Sequence, residues 1–302
     1  MFTKTFAALI AAAVVLGAPT PGPAPTQTNV LQFALSLEYL ESAFYSGALA
    51  QYDAQAFADA GFPSWVRGRF EQIAQHEQTH VSTLQNALGD QAPQACQYSF
   101  GRLTDAESPY TDPRSFVSLS FAIEGVGAAA YLGASKFIDD KDTLGVAASI
   151  LSIEERQVAW VSSAVLKQQP WDGPFETPLS PSGAYSLASQ FITSCPSSNP
   201  PLPVTPFPAL SVSNASPWPG STINLTFDNS NNADAAYAVW LNGLDAVFTP
   251  LDGNGQTTVP DGLHGTVYVG VASSEQTPMS DASMVTGLAI VQMPFDSTAV
   301  EA

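Results

Sequence analysis

Glu38 and Tyr45 stand seven residues apart, as do Glu124 and Tyr131, while Glu77 and His80 stand three apart, as do Glu154 and Gln157. An α-helix turns about 100° per residue, so a step of seven returns to nearly the same face about 10.5 Å further on. A step of three stays on that face one turn away. Each pair can therefore point into one helical interior, and carboxylates, an imidazole and phenols converging there are the groups of a metal centre. Unpaired buried carboxylates are costly, several kcal/mol per ion. Hard cations remove that cost by taking oxygen ligands and cancelling the mutual repulsion.

The helices that carry these residues are marked by apolar periodicity and by start and stop signals. The first runs through Val30, Leu31, Ala34, Leu35, Glu38, Ser42 and Tyr45. The second starts at Pro63 and Ser64, runs through Ile73, Glu77, His80, Leu84 and Leu88, and stops at Gly89. Asp112 and Pro113 start the third, whose inner face holds Phe116, Ser120, Ile123, Glu124, Gly127 and Tyr131. Asp139, Asp140 and Asp142 suit the positive end of the fourth, which continues through Ile150, Glu154, Gln157 and Val161 before Pro170. Four such helices predict a bundle, with the stretch from Gly89 to Asp112 as its crossover. The repeat extends past the polar residues. Aligning Glu38 with Glu124 sets Tyr45–Ala48 (YSGA) on Tyr131–Ala134 (YLGA), and aligning Glu77 with Glu154 sets Ile73 on Ile150 and Val81 on Val158.

Other polar residues compete for the same roles. Glu41 and Glu155 fall outside the register of the repeat and are read as partly solvated, and Glu71 is offset by one residue from the face of Glu77. His76 points about 100° away from Glu77 and is read as a surface residue.

With the motifs LEYLESAFY, HEQTH, FAIEGVGAAAY and IEERQVAW in this order, the chain resembles the ferritin-like superfamily. There, one Glu from each of two helices and a Glu-x-x-His from each of two others hold a di-iron or di-manganese centre. More closely, it is similar to secreted fungal ferritin-like proteins, including the stress-response and late-sexual-development group, and to bacterial desiccation-related proteins. The resemblance covers residues 27 to 195 and implies two Fe or Mn ions per chain. It makes Glu38 and Glu124 terminal or bridging ligands, Glu77 and Glu154 bridging ligands and His80 the nitrogen ligand. Tyr45 and Tyr131 become hydrogen-bond donors to that shell. Gln157 stands where the family pattern has histidine. Its neutral amide oxygen is a weaker ligand than imidazole, which puts one of the two metal positions in question.

The ends and the composition place the bundle in a larger chain. Lys4, an apolar run from Phe6 to Leu16, then Gly17 and Ala18 read as a signal peptide over residues 1–18. No later stretch of about 18 apolar residues is evident, so a soluble secreted protein is expected. In that setting the two cysteines, Cys96 and Cys195, are read as one disulfide rather than two free thiols. Nine Lys and Arg against 27 Asp and Glu give a net charge of −18, which argues against nucleic acid and anionic membranes as partners.

Residues 27–195 are helical in character, 196–208 are rich in proline and read as a semi-rigid linker, and 209–302 read as short strands. The predicted fold class is therefore α plus β, a ferritin-like four-helix bundle followed by a small immunoglobulin-like β-sandwich. Trp240, Phe227, Phe248 and Tyr268 are its expected core, Asn242-Gly243 and Asp252–Gly255 are turns, and Asn214 and Asn224 sit in glycosylation sequons. Three functions remain open at this level. They are a di-metal enzyme consuming peroxide or oxygen, a non-catalytic metal scavenger, and a metal-poor structural stress protein whose β domain meets wall polysaccharide or another protein.

Overall fold

The computed structural model describes residues 25–100, 111–230, 233–277 and 280–299, so the expected signal peptide lies outside the described residues. The helices are α1 (Gln27–Gln51), α2 (Ala54–Asp59), α3 (Trp65–Leu88), α4 (Pro113–Ala134), α5 (Lys141–Ala159) and α6 (Pro181–Ala188). Side-chain caps start α1, α4 and α5, whereas Ser64, the predicted start of α3, makes no side-chain cap. Thr26 and Asp112 form capping boxes with Asn29 and Ser115, and the Asp140 carboxylate accepts from the Thr143 N–H. Gly89 ends α3 at φ 54°, a conformation that favours glycine. α1 packs on α3 and α4 on α5, giving two helical hairpins, and α1 meets α4 across the middle. The short helices α2 and α6 carry too little periodicity to be read from sequence. A π-helical turn, Trp160–Leu166, continues α5 and sets the Trp160 ring 5.1 Å from that of Phe70.

The strands are β1 (Gln97–Tyr98), β2 (Ile192–Ser194), β3 (Leu210–Val212), β4 (Thr222–Phe227), β5 (Tyr237–Asn242), β6 (Asp245–Pro250), β7 (Gln256–Thr258), β8 (Gly265–Ala272) and β9 (Ala289–Met293). β1 and β2 pair beside the Cys96–Cys195 disulfide, which ties the crossover after α3 to the chain after α6. Closing a loop of that length contributes about 4 to 5 kcal/mol in the chain-entropy account. The C-terminal part has two antiparallel sheets, ordered β3-β4-β7 and β6-β5-β8-β9. Leu210, Ile223 and Leu225 of the first share a core with Trp240, Val267, Val269 and Val291 of the second.

Several expectations change here. Phe227 and Phe248 are only half-buried, whereas Trp240 is fully buried and donates to Thr249 Oγ1 at 2.8 Å. Asn242 pairs with Asp245, so the turn falls on Gly243 and Leu244, one residue later than read. Tyr268 leaves the sheet core and joins the core of the bundle, its hydroxyl donating to Gly125 O at 3.2 Å. The proline-rich segment is laid on the bundle rather than held clear of it. Leu202 and Val204 pack on the bundle core, and the Thr205 N–H donates to Ser182 Oγ at 2.8 Å. One stretch, Pro113–Phe137, is long and apolar enough to cross a membrane, contrary to the sequence expectation, and most of it is buried against the other elements.

Between bundle and sheet, Asp172 accepts the Thr266 N–H at 2.8 Å. Burial, then the charge of Glu176, pushes its carboxyl from 3.8 up to about 7. The folded state thus holds this proton more tightly than the unfolded state, so stability falls as pH rises from about 4 to about 7, by up to about 4 kcal/mol. Asp172→Asn keeps an acceptor for Thr266 without the charge. Denaturant unfolding is expected to find it more stable than the parent at pH 8 and no more stable at pH 4. Equal differences at both pH values would refute this.

Candidate metal centre

The four long helices bring the repeat together in the bundle interior. Glu38, Glu77, Glu124 and Glu154 are each 0% exposed, and His80 is buried at 8%. Glu38, Glu77, His80 and Glu154 each offer a ligand atom within 4.8 Å of one another. His80 Nδ1 lies 3.1 Å from Glu77 Oε2, 3.3 Å from Glu38 Oε2 and 4.0 Å from Glu154 Oε1.

The two tyrosines cross between the halves. Tyr45 on α1 donates to Glu124 on α4, and Tyr131 on α4 donates to Glu38 Oε1 on α1 at 2.5 Å. Each phenol sits seven residues beyond one glutamate and holds the other half's glutamate, because α1 and α4 face each other across the repeat's pseudo-two-fold axis. Both phenols are held well above their ordinary range by burial and the neighbouring carboxylates, so they are fixed as donors.

The symmetry is broken in two places. Gln157 occupies the position of His80, and its amide nitrogen donates to Glu77 Oε1 at 3.2 Å and meets His76 Nδ1 at 3.2 Å. It steadies Glu77, and exposed His76 reaches the rim of the centre only through it. The second break is Glu41. It is 3% exposed, which corrects the expectation of partial solvation. In the repeat Glu41 aligns with Gly127, and the two positions touch. A Cβ on Gly127 would lie 2.4 Å from Glu41 Oε1 and 3.3 Å from Glu154 Oε2. The glycine leaves the space that a fifth buried carboxylate fills, beside the half whose histidine is missing. Aligning Glu41 with Gly127 was the available signal, a bulky acid facing the one residue without a side chain. Glu155, by contrast, is half-buried as expected, its carboxyl raised to about 7 by burial and then by the charge of Glu176.

Four of these carboxyls resist ionisation. Burial raises Glu38 to about 7, and Glu41, Glu124 and Glu154 are held well above their ordinary range by burial and then by neighbouring carboxylates. Burial disfavours charge on His80, but the Glu38 and Glu77 carboxylates beside it prevail and lift it to about 10. Glu38 Oε2, Glu124 Oε2, both Glu154 oxygens and Gln157 Oε1 are buried without a hydrogen-bond partner. Native interiors leave few such atoms unsatisfied. Five orphaned oxygens around one imidazole fit the donor set of hard or borderline cations, as an iron or manganese pair requires.

Residues 26–167 match the family model described as a ferritin-like domain. Protein rds1 of Schizosaccharomyces pombe (strain 972) is 27% identical over 184 residues, a match covering 60% of this chain and 42% of that protein's length. The chain therefore spans less than half of that curated relative. A helical ferritin-like domain followed by a β-sheet region, with a buried Glu/His group able to bind metal, is the architecture of this protein.

Proposed function

We propose that the ferritin-like domain holds two iron or manganese ions and that the protein is a secreted oxidoreductase consuming peroxide or dioxygen. The observation that carries this reading is the set of orphaned carboxylate oxygens converging on His80. Glu38, Glu77, His80 and Glu154 would hold one ion. Glu124 and Glu41 would contribute carboxylates to the other, with Glu41 offering an oxygen where Gln157 supplies no imidazole. When bound, such ions supply Lewis acidity and one-electron chemistry at an oxygen substrate.

The chain's own residues prepare the site. Tyr45 and Tyr131 fix the outer oxygens of Glu124 and Glu38, Gln157 holds Glu77, and the apolar shell around them excludes bulk water. Secretion is supported by the disulfide and by the signal-like first 18 residues. The shared core of the two sheets supports reading them as an immunoglobulin-like sandwich.

Elemental analysis of protein purified without chelators tests the proposal. About two ions per chain are expected, and fewer than about 0.2 after Fe or Mn loading would overturn it. Peroxide consumption lost in Glu77→Ala separates an enzyme from a scavenger. Gln157→His is expected to tighten the second ion's binding, read by competition with a chelator. Unchanged affinity would count against its place in the shell.

A further inference from the structure

Glu41 has a second neighbour besides the carboxylate cluster. It lines a cavity of about 240 Å³ lying between α1, α4, α6 and the sheet edge at β3 and β9. The wall is formed by residues such as Leu37, Ile123, Leu187, Phe191, Leu210 and Ile290, and among the described residues its only polar side chains are Glu41 and Gln190. The Gln190 amide is already tied to Ser186 O at 3.2 Å. Glu41, 3% exposed, has no hydrogen-bond or ion-pair partner among the described residues. Neither of its oxygens is among the fully enclosed orphans of the cluster, so an unpaired acceptor is left facing accessible space beside the cavity. The other large apolar cavity, about 270 Å³ between α1, α3, α4 and α5, offers no such group at its inner end, where it meets Tyr131, whose hydroxyl is spent on Glu38.

We infer that the Glu41 cavity is a binding site for an uncharged apolar molecule carrying one hydroxyl group, a medium-chain alcohol or a phenol. Its hydroxyl donates to Glu41, and its body fills the space between bundle and sheet. The volume sets the size. A cavity of about 150 Å³ takes a benzene, so this one takes about ten heavy atoms. The surroundings set the charge. A carboxylate or an ammonium head would lose its hydration along an apolar wall. The β region thereby gains a role, because Leu210, Ala289 and Ile290 close one side of the site.

The test is calorimetric titration of the full chain with 1-octanol, octanoate and octylamine. Binding needs no ion, so chelator-treated protein is used alongside protein as purified, and failure here leaves the metal centre untouched. Saturable binding of 1-octanol is expected with a Kd on the order of 0.1 mM. Ala122→Phe, which fills the cavity from its half-buried rim, is expected to weaken binding at least about ten-fold, and Glu41→Leu at least about five-fold. Ala147→Phe, which fills the other cavity, leaves it unchanged. If Ala122→Phe does not fold, Gln190→Trp at the mouth replaces it. No saturable binding of 1-octanol, equal or tighter binding of octanoate or octylamine, or loss in Ala147→Phe with retention in Ala122→Phe would each overturn the inference.

Discussion

Loading the chain with Mn²⁺ or Fe²⁺ is expected to raise its melting temperature by about 6 °C at pH 8 and hardly at all at pH 4.5. The size follows from linkage. An ion present at about a thousand times its Kd stabilises the folded state by about 4 kcal/mol, and the unfolded chain has no assembled site. The pH dependence follows from the protons that must leave. Glu38, Glu41, Glu124 and Glu154 hold theirs more tightly than exposed carboxyls do, Glu38 up to about 7, and His80 remains protonated up to about 10. Protons therefore outcompete a cation at low pH and yield to it as pH rises.

The metal-free chain runs the other way. A carboxyl whose pKa is raised on folding has its stabilising effect below the unfolded value of 4.5 and loses it as pH rises through about 7, the window of Glu38. His80, raised from 6.5 to about 10, loses its share across that later window. The gap between loaded and metal-free melting curves should thus widen steadily from pH 5 to pH 8. A gap that stays constant, or a loaded chain no more stable at pH 8, would refute the centre. Glu77→Ala, which removes the carboxylate shared by His80 and Gln157, is expected to abolish the shift.

Gly133→Ala is expected to destabilise the protein by on the order of 3 kcal/mol or more, with no change in any polar group. A Cβ there would stand 1.8 Å from Leu179 O and 2.6 Å from its carbonyl carbon, and backbone cannot swing aside as a side chain can. Leu179 is held there by its N–H, which donates to Ala129 O at 3.0 Å, and by its burial in the bundle core. The same segment carries Asp172 to Thr266 and Thr177 to the Gly243 N–H, so displacing it loosens the sheet from the bundle as well. Gly145→Ala is the matched control. Gly145 lies on the exposed face of α5 with nothing within 4 Å of a Cβ, and removing a glycine from a helix interior there is expected to gain about 0.5 to 1 kcal/mol. Denaturant midpoints for both variants decide the matter, and equal effects would show that close approach to Leu179 is not what Gly133 serves.

The bundle and its ligand repeat were legible in the chain because they depend on local periodicity. A step of seven or three residues decides which helix face a group occupies, and caps such as Asp112 and Asp140 act within one turn. The exchange of Tyr45 and Tyr131 between Glu124 and Glu38, the inward turn of Glu41 and the cavity beside it could not be read that way. They depend on how closely α1 and α4 approach, which Gly127 permits only once the two helices are packed. The docking of Tyr268 and of the proline-rich segment on the bundle is of the same kind, since composition separates helix from strand but says nothing of which faces meet. Spacing along the chain therefore determined the ligands' common face and the bundle, while tertiary packing alone decided that a glutamate fills the gap opposite a glycine, because that fit exists only between helices and not within one.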